Sequence, residues 1–424
     1  MKDKFLEKEK PAILGGEPEF FKKLPVYNTI GKQEIDAAVS VMKSGVLSGY
    51  VANSGEEFFG GDVIVALENA FCKRFSSKYA VSVNSATSGL HSALVAAGVE
   101  QGDEVIVPPY TMSASATTVV MCGAKPVFVD IEPDMFCLDI SKVIDAITAK
   151  TKAIMSVNLF GQPANLGALR NIADKYKLIL IEDNAQSPGA IYKEESTGTI
   201  GDLGVFSLNR HKTMQCGEGG VVVCNNKRLA HKLRMIRNHG ESVLPEWPQD
   251  KVMEGDESII GFNYRLTSLQ ASIAISQLGR LDELNKQRVV LAKKLSTMLS
   301  EFNFLQSPVV RENCSHVFYL YPMIFDKDKI GISRDQFLFA MQKEGAPVSN
   351  YVRPLYRLPL YAHKFGQLEC YDPDNFPNVE GLWKDKMVTT NICRPPLSEE
   401  HIYKFINAIR KIYKYRKEII EYFS

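Results

Sequence analysis

The chain has 424 residues and carries 50 Lys and Arg against 49 Asp and Glu, so no global attraction to nucleic acid or to an anionic membrane is expected. Hydrophobic residues make up 45% and charged residues 23%, as in a globular chain long enough for two domains, and no run approaches the ~18 apolar residues of a membrane helix. The 8 cysteines show no C-x-x-C spacing and the 7 histidines no paired ligand spacing, which argues against a disulfide frame and against a metal site. The start, Met1 to Lys8, is charged and lacks an apolar signal region, so the cytoplasm is the expected compartment.

Residues 1–30 contain Pro11, Gly15, Gly16, Pro18 and Pro25 and read as an irregular approach. A helix is expected over 34–43, with Ile35, Ala38, Val39 and Met42 on one face, then a Gly/Ser-rich loop near the site over 44–61 and a helix over 63–75. Strands are expected over 79–83, 104–108, 125–131, 152–158, 178–183, 203–208 and 220–224, with helices over 88–98, 113–122, 140–148 and 166–176. This alternation predicts an α/β fold, a mostly parallel seven-stranded sheet covered by helices, with ligands at the carboxyl ends of its strands. Beyond 226 the pattern is helical to 238, and the polar stretch 241–257 with Pro245, Trp247 and Pro248 reads as a loop or lid. One long helix is expected over 268–295. The stretches 317–324 and 334–344 and a helix from 398 then read as a smaller α/β domain. The division is an irregular segment over 1–30, a large domain over 31–285 and a small one over 286–424. The basic run Lys411 to Lys417, beside Ile409, Ile412 and Tyr413, reads as a packed helix with a solvated basic face.

The most informative stretch is 178–225. An apolar run, Leu178-Ile179-Leu180-Ile181, ends on Glu182 and Asp183, as a buried strand does when it delivers a carboxylate to a site. A second run, Val205-Phe206-Ser207-Leu208, ends near Lys212, and Gly217-Glu218-Gly219-Gly220 leads into a third strand. Upstream, Asn84-Ser85-Ala86-Thr87-Ser88-Gly89-Leu90 follows a strand and opens a helix. Those letters suit either a phosphate cradle or an ordinary Ser/Thr helix cap.

The ordered pattern E-D-x-A-Q…G-x-x-G-D-x-x-x-F-S-x-x-x-x-K-x-x-x-x-G-E-G-G, from Glu182 to Gly220, resembles the DegT/DnrJ/StrS sugar aminotransferases, fold-type I enzymes that use pyridoxal 5′-phosphate. Counterparts elsewhere extend the resemblance over roughly residues 25 to 400. It implies that Lys212 holds the cofactor as a Schiff base and that Asp183 keeps the pyridine nitrogen protonated. Gln186 is implied beside the cofactor ring, and Ser85, Ala86, Thr87 and Ser207 around its phosphate. Gly261-Phe262-Asn263-Tyr264-Arg265-Leu266 resembles the segment whose asparagine reaches the partner's phosphate, so Asn263 implies a homodimer with shared active sites. Met112, in Pro108-Pro109-Tyr110-Thr111-Met112, stands where relatives place an aromatic that stacks on the pyridine, and a thioether can pack there too. Tyr351, Arg353 and Arg357 are candidates for an acidic or diphosphate-bearing substrate. Some relatives replace the lysine with histidine and act as dehydratases. Here Lys212, not its neighbour His211, lies five residues before Gly217, which favours transamination.

The expected activity is amino transfer from an amino acid, L-glutamate or L-glutamine in the family, to the keto or aldehyde group of a sugar, expected to be nucleotide-linked, for amino-sugar or polysaccharide synthesis. Three alternatives stand beside it. One is a cyclitol (inosose-type) aminotransferase, on the phrases Phe136-Cys137-Leu138-Asp139 and Gly161-Gln162-Pro163. The others are a cofactor-dependent sugar dehydratase and a cofactor-binding regulator, for which 30 Gly- and Pro-broken residues are too short a DNA-binding module.

Overall fold

Seven short runs rich in Val, Ile and Leu form the larger sheet: β1 (Tyr79–Val83), β2 (Glu104–Val107), β3 (Lys125–Phe128), β4 (Thr151–Val157), β5 (Ile179–Asp183), β8 (Leu203–Ser207) and β9 (Gly220–Cys224). A two-stranded hairpin, β6 (Ile191–Tyr192) and β7 (Glu195–Ser196), lies between β5 and β8 in the chain. This computed structural model describes residues 10–52, 56–240, 259–366 and 371–423, so the expected lid over 241–257, the charged start and Cys370 lie outside the described residues.

The sheet order is β1-β9-β8-β5-β4-β2-β3, and β9 alone runs antiparallel to its neighbours. Buried on both faces, its strands read as nearly continuous apolar runs, as covered parallel sheets do. Four strands stop short of expectation at the carboxyl end, β4 at Val157 and β8 at Ser207 by one residue each. Pro108 is outside β2 and β3 stops at Phe128, so the expected strands over 104–108 and 125–131 are each cut at the carboxyl end. The helix expected from 88 begins instead at Ala86, because Ser85 caps it: its Oγ accepts the Ser88 N–H at 3.0 Å. That helix packs directly on the sheet through Gly89, where a Cβ would lie 2.9 Å from Val205 and 3.2 Å from Val222.

The smaller sheet is antiparallel, in the order β10 (Leu305–Gln306), β11 (Tyr321–Phe325), β13 (Met387–Thr390), β12 (Val348–Ser349). Helices Leu281–Leu299, Arg334–Lys343 and Glu399–Lys414 share its core. Residues 355–382 return to the first core through Leu355, Tyr356, Tyr361, Phe376 and Val379. The single helix expected over 268–295 is two, Ser268–Gly279 and Leu281–Leu299, broken at Arg280 (φ −104°, ψ 4°). Gly279 weakens the helix there, and the Arg280 guanidinium is drawn to Glu34 at 3.2 Å and to the Thr29 carbonyl at 3.0 Å. The basic run near the C-terminus keeps Lys414 and Lys417 exposed, as expected, but departs from a solvated face at Lys411. Lys411 is buried, with Nζ 2.7 Å from the Glu17 carbonyl, 3.0 Å from Glu19 and 3.3 Å from Glu344, and so ties the N-terminal approach to the last long helix. Among the described residues no helix is long and apolar enough to cross a membrane, and no group of three or more His, Cys, Asp and Glu is arranged to hold a metal.

Candidate active site

Register brings the pieces to one edge. Val83 of β1 and Ser207 of β8 both pair with Gly220 of β9, and Val205 of β8 pairs with Asp183 of β5. The Ser85 cap, Ser207, the Lys212 loop and Asp183 therefore leave the sheet at one end, where ligands of such sheets gather. Gly220 is required there, since a Cβ on it would meet the Ala86 nitrogen and the Ser85 carbonyl at 2.7 Å. Its absence lets β9 pass under the turn that opens the helix. The first N–H groups of that helix have no partner within it and face an anion favourably. Ser207 is buried, its Oγ accepting a long 3.4 Å bond from Asn209 N–H among the described residues.

Glu182 and Asp183 point to opposite faces of β5 and do different work. The Glu182 carboxylate is fully buried and saturated, accepting from the Gly198, Ile200 and Gly201 amides at 2.6–2.8 Å and from Asn158 Nδ2 at 3.1 Å. It fixes the loop into β8. Asp183 is 5% exposed and, among the described residues, accepts two bonds, from Ser115 Oγ at 2.8 Å and Ala185 N–H at 3.2 Å. A carboxylate offers about four acceptor sites. Burial pushes its pKa up, against the pull of Ser115, of the Lys212 charge and of Ala185. A buried, half-satisfied carboxylate calls for a cationic donor, and the protonated nitrogen of a pyridine ring has that chemistry.

Lys212 is half-buried in a turn held by its own N–H to the Asn209 carbonyl and by Tyr27 Oη, which donates to the Lys212 and Thr213 carbonyls at 3.0 Å. Its Nζ lies 4.7 Å from the centroid of the Tyr319 ring and has no carboxylate partner among the described residues. The amine is held by a ring face and left free for covalent chemistry. His211 is exposed and turned to Arg210, whose Nε donates to its Nε2 at 3.2 Å. Burial first, then Arg210, Arg394 and Lys212, lower its pKa, so it is neutral at neutral pH. The donor set, a free lysine, a half-satisfied carboxylate and a helix N-terminus flanked by Ser85, Thr87 and Ser207, fits pyridoxal 5′-phosphate.

The other candidates separate. Gln186 bridges the site floor, its Oε1 accepting the Phe160 N–H at 2.9 Å and its Nε2 donating to Tyr351 Oη at 3.1 Å. Tyr351 (φ +68°) packs edge-on against Tyr110 and Phe160 and lies close enough to Asp183 to feel its charge. Met112 is 57% exposed, whereas Tyr110 is fully buried and donates to the Asn350 carbonyl at 3.2 Å, so Tyr110 does not supply an aromatic face in its place. Asn263 is exposed and accepts from Arg265 Nε at 2.9 Å, and its segment lies along the same chain's own Asn84, whose N–H donates to the Tyr264 carbonyl at 2.8 Å.

Arg353 is exposed. Arg357 is not available to a substrate anion: it makes a bidentate pair with Glu380 at 2.7 Å for both bonds and lies 4.9 Å over Trp383. Burial alone would raise the Glu380 pKa, but Arg357, Tyr356 and Lys384 bring it down to about 2. A carboxyl lowered in the fold contributes stability that is complete above its unfolded value of 4.5 and disappears as pH falls through about 2. Glu380→Gln is expected to cost about 2–3 kcal/mol in urea unfolding at pH 7. That difference should shrink steadily below pH 4.5, and a pH-independent cost would show that packing, not charge, holds this corner.

Three contacts at the site were not legible in sequence: Ser115 on Asp183, Tyr319 under Lys212 and Tyr27 on the Lys212 turn. Each comes from a distant segment with no motif around it.

The sequence model of the DegT/DnrJ/EryC1/StrS aminotransferase family matches residues 33–410. GDP-perosamine synthase of Caulobacter vibrioides is 38% identical over 332 residues, 76% of this chain and 86% of its own. The spore coat polysaccharide biosynthesis protein SpsC of Bacillus subtilis is 31% identical over 388 residues, 91% of this chain and 95% of its own. Among solved structures, DesV of S. venezuelae superposes with a TM-score of 0.77 at 30% identity, covering 90% of this chain and 94% of its own.

Proposed function

The chain belongs to the DegT/DnrJ/EryC1/StrS aminotransferase family, whose enzymes depend on pyridoxal 5′-phosphate, and from that premise we propose that it aminates a nucleotide-linked keto or aldehyde sugar with L-glutamate or L-glutamine as donor. The observation that carries the reading is the free Lys212 amine beside the half-satisfied Asp183 carboxylate. The acceptor class is supported by relatives named for GDP-perosamine and for spore coat polysaccharide synthesis. Homodimer formation, with Asn263 serving the partner's phosphate site, and a cytoplasmic location belong to the same proposal.

Lys212 would hold the cofactor through Nζ, Asp183 its ring nitrogen, Gln186 the region beside the ring, and the Ser85–Thr87 turn with Ser207 its phosphate. Met112 would lie against the ring in place of an aromatic. When bound, the cofactor supplies an electrophilic carbon and a protonated ring that withdraws electrons from the donor's α-carbon. Asp183 Oδ2, fixed by Ser115, keeps a proton on the ring side of the site. Lys212 Nζ would be the base that takes the donor's α-proton and returns it, a transfer worth about 10²–10⁴ in rate. The Tyr319 ring keeps that amine in place between the two transfers.

Purified holoenzyme is expected to absorb near ~420 nm, and L-glutamate should move the band to near ~330 nm. A nucleotide-linked keto sugar should then restore the first band, while scyllo-inosose should not. Restoration by the inosose alone would overturn the acceptor class and leave the aminotransferase.

A further inference from the structure

A cleft of about 540 Å³ opens beside the Lys212 loop, between residues 20–27, Arg210–His211 and the turn after β13. Its walls hold Lys22, Lys23, Arg210, His211 and Arg394, and no aspartate or glutamate. The guanidinium of Arg394 lies 5.3 Å from the centroid of the Tyr27 ring, and that of Arg288, which is 1% exposed, lies at 5.3 Å from the same ring. Neither forms an ion pair with a carboxylate of the described residues. Arg288 makes one long bond, 3.4 Å to the Tyr319 carbonyl, and its Nε has no partner. Three other enclosed guanidiniums have an acid: Arg237 has Glu68, Arg311 has Glu132 and Arg357 has Glu380. Two cations gathered on one ring without an acid are costly unless a ligand supplies the anion.

The same ring joins the cleft to the chemistry. Tyr27 Oη holds the Lys212 carbonyl, and Tyr319 presents its face to Lys212 Nζ and its carbonyl to Arg288. We infer that this cleft binds the diphosphate of the nucleotide-linked acceptor, with Arg394 as its principal anchor and Lys22 and Lys23 closing over it. The inference rests on the acceptor class proposed above. A donor carboxylate brings one negative charge, whereas the walls offer four permanent cations, and a bridging diphosphate brings about two charges on oxygens that arginine binds in pairs. The volume lies within the roughly 300–1,000 Å³ of small-molecule sites.

The test uses holoenzyme, calorimetric titration with inorganic pyrophosphate and with UDP, dTDP and GDP, and two variants, Arg394→Gln and the exposed pair Lys22→Gln/Lys23→Gln. Each variant should weaken pyrophosphate at least about tenfold, and one nucleoside diphosphate should compete with pyrophosphate. The KM of the sugar acceptor should rise in Arg394→Gln more than that of L-glutamate. Unchanged pyrophosphate affinity in both variants, with a nucleotide-linked sugar still turning over, would overturn the cleft alone. A rise in the L-glutamate KM with pyrophosphate unmoved would assign Arg394 to the donor carboxylate and overturn the inference. Pyrophosphate binding through Arg394 with no nucleoside diphosphate competing would overturn the acceptor class and the inference together.

Discussion

Lys212→Ala is expected to abolish turnover, lowering kcat by about 10³-fold or more. It should also remove the ~420 nm band while the protein still folds and still binds pyridoxal 5′-phosphate. The fold should survive because, among the described residues, the side chain makes no ion pair and its marked contact is the Tyr319 face. The turn is held by backbone bonds and by Tyr27, none of which uses the amine. His211, next in the chain, cannot take over: it is turned to Arg210 and kept neutral by burial and by three nearby cations. Adding L-glutamate to the variant separates the roles of the lysine. If it bound cofactor but gave no ~330 nm species, Lys212 would be both anchor and proton carrier. Activity near that of the wild type would refute the assignment.

The sheet and the gathering of the candidate residues at its edge were largely legible because both rest on local patterns. Short buried apolar runs, one ending on Glu182-Asp183 and one opening at Gly220, carry their own register once the strands pair. What remained hidden depends on contacts between distant segments. Arg353 and Arg357 look alike in sequence, yet Arg357 is taken by Glu380, 23 residues on, and only the fold shows that pair. Likewise nothing around Ser115 marks it as the residue that orients Asp183, and nothing around Arg394 or Arg288 shows that both face Tyr27. The break at Arg280 is of the same kind. The helical pattern runs straight through, and the interruption comes from a glycine together with a distant partner, Glu34.

Asp183→Asn sets stability against function at one atom. Asparagine keeps the size and both local bonds, accepting from Ala185 N–H and donating to Ser115, so the site geometry should persist. What it loses is the charge opposite the ring nitrogen, and kcat should fall by about 10²–10³-fold. The apoprotein should respond in the other direction. Burial raises the Asp183 pKa above its ordinary 3.8, so between that value and its folded pKa the folded chain holds a proton that the unfolded chain has released. Stability therefore falls as pH rises through this window, a penalty for the buried charge. Removing the charge lifts the penalty, so cofactor-free Asp183→Asn should melt on the order of a degree or two above the wild-type apoprotein at pH 7. That gain should vanish as pH falls below 3.8, where the wild-type carboxyl is protonated in both states. With the cofactor bound the order should reverse, because the ring nitrogen then supplies the cation that Asp183 lacks. Thermal melts of both proteins, with and without pyridoxal 5′-phosphate, read all of this directly. A variant less stable than wild type without cofactor at pH 7 would mean that Lys212 already satisfies the carboxylate, and that Asp183 is a structural ion-pair partner instead of one held ready for the ring.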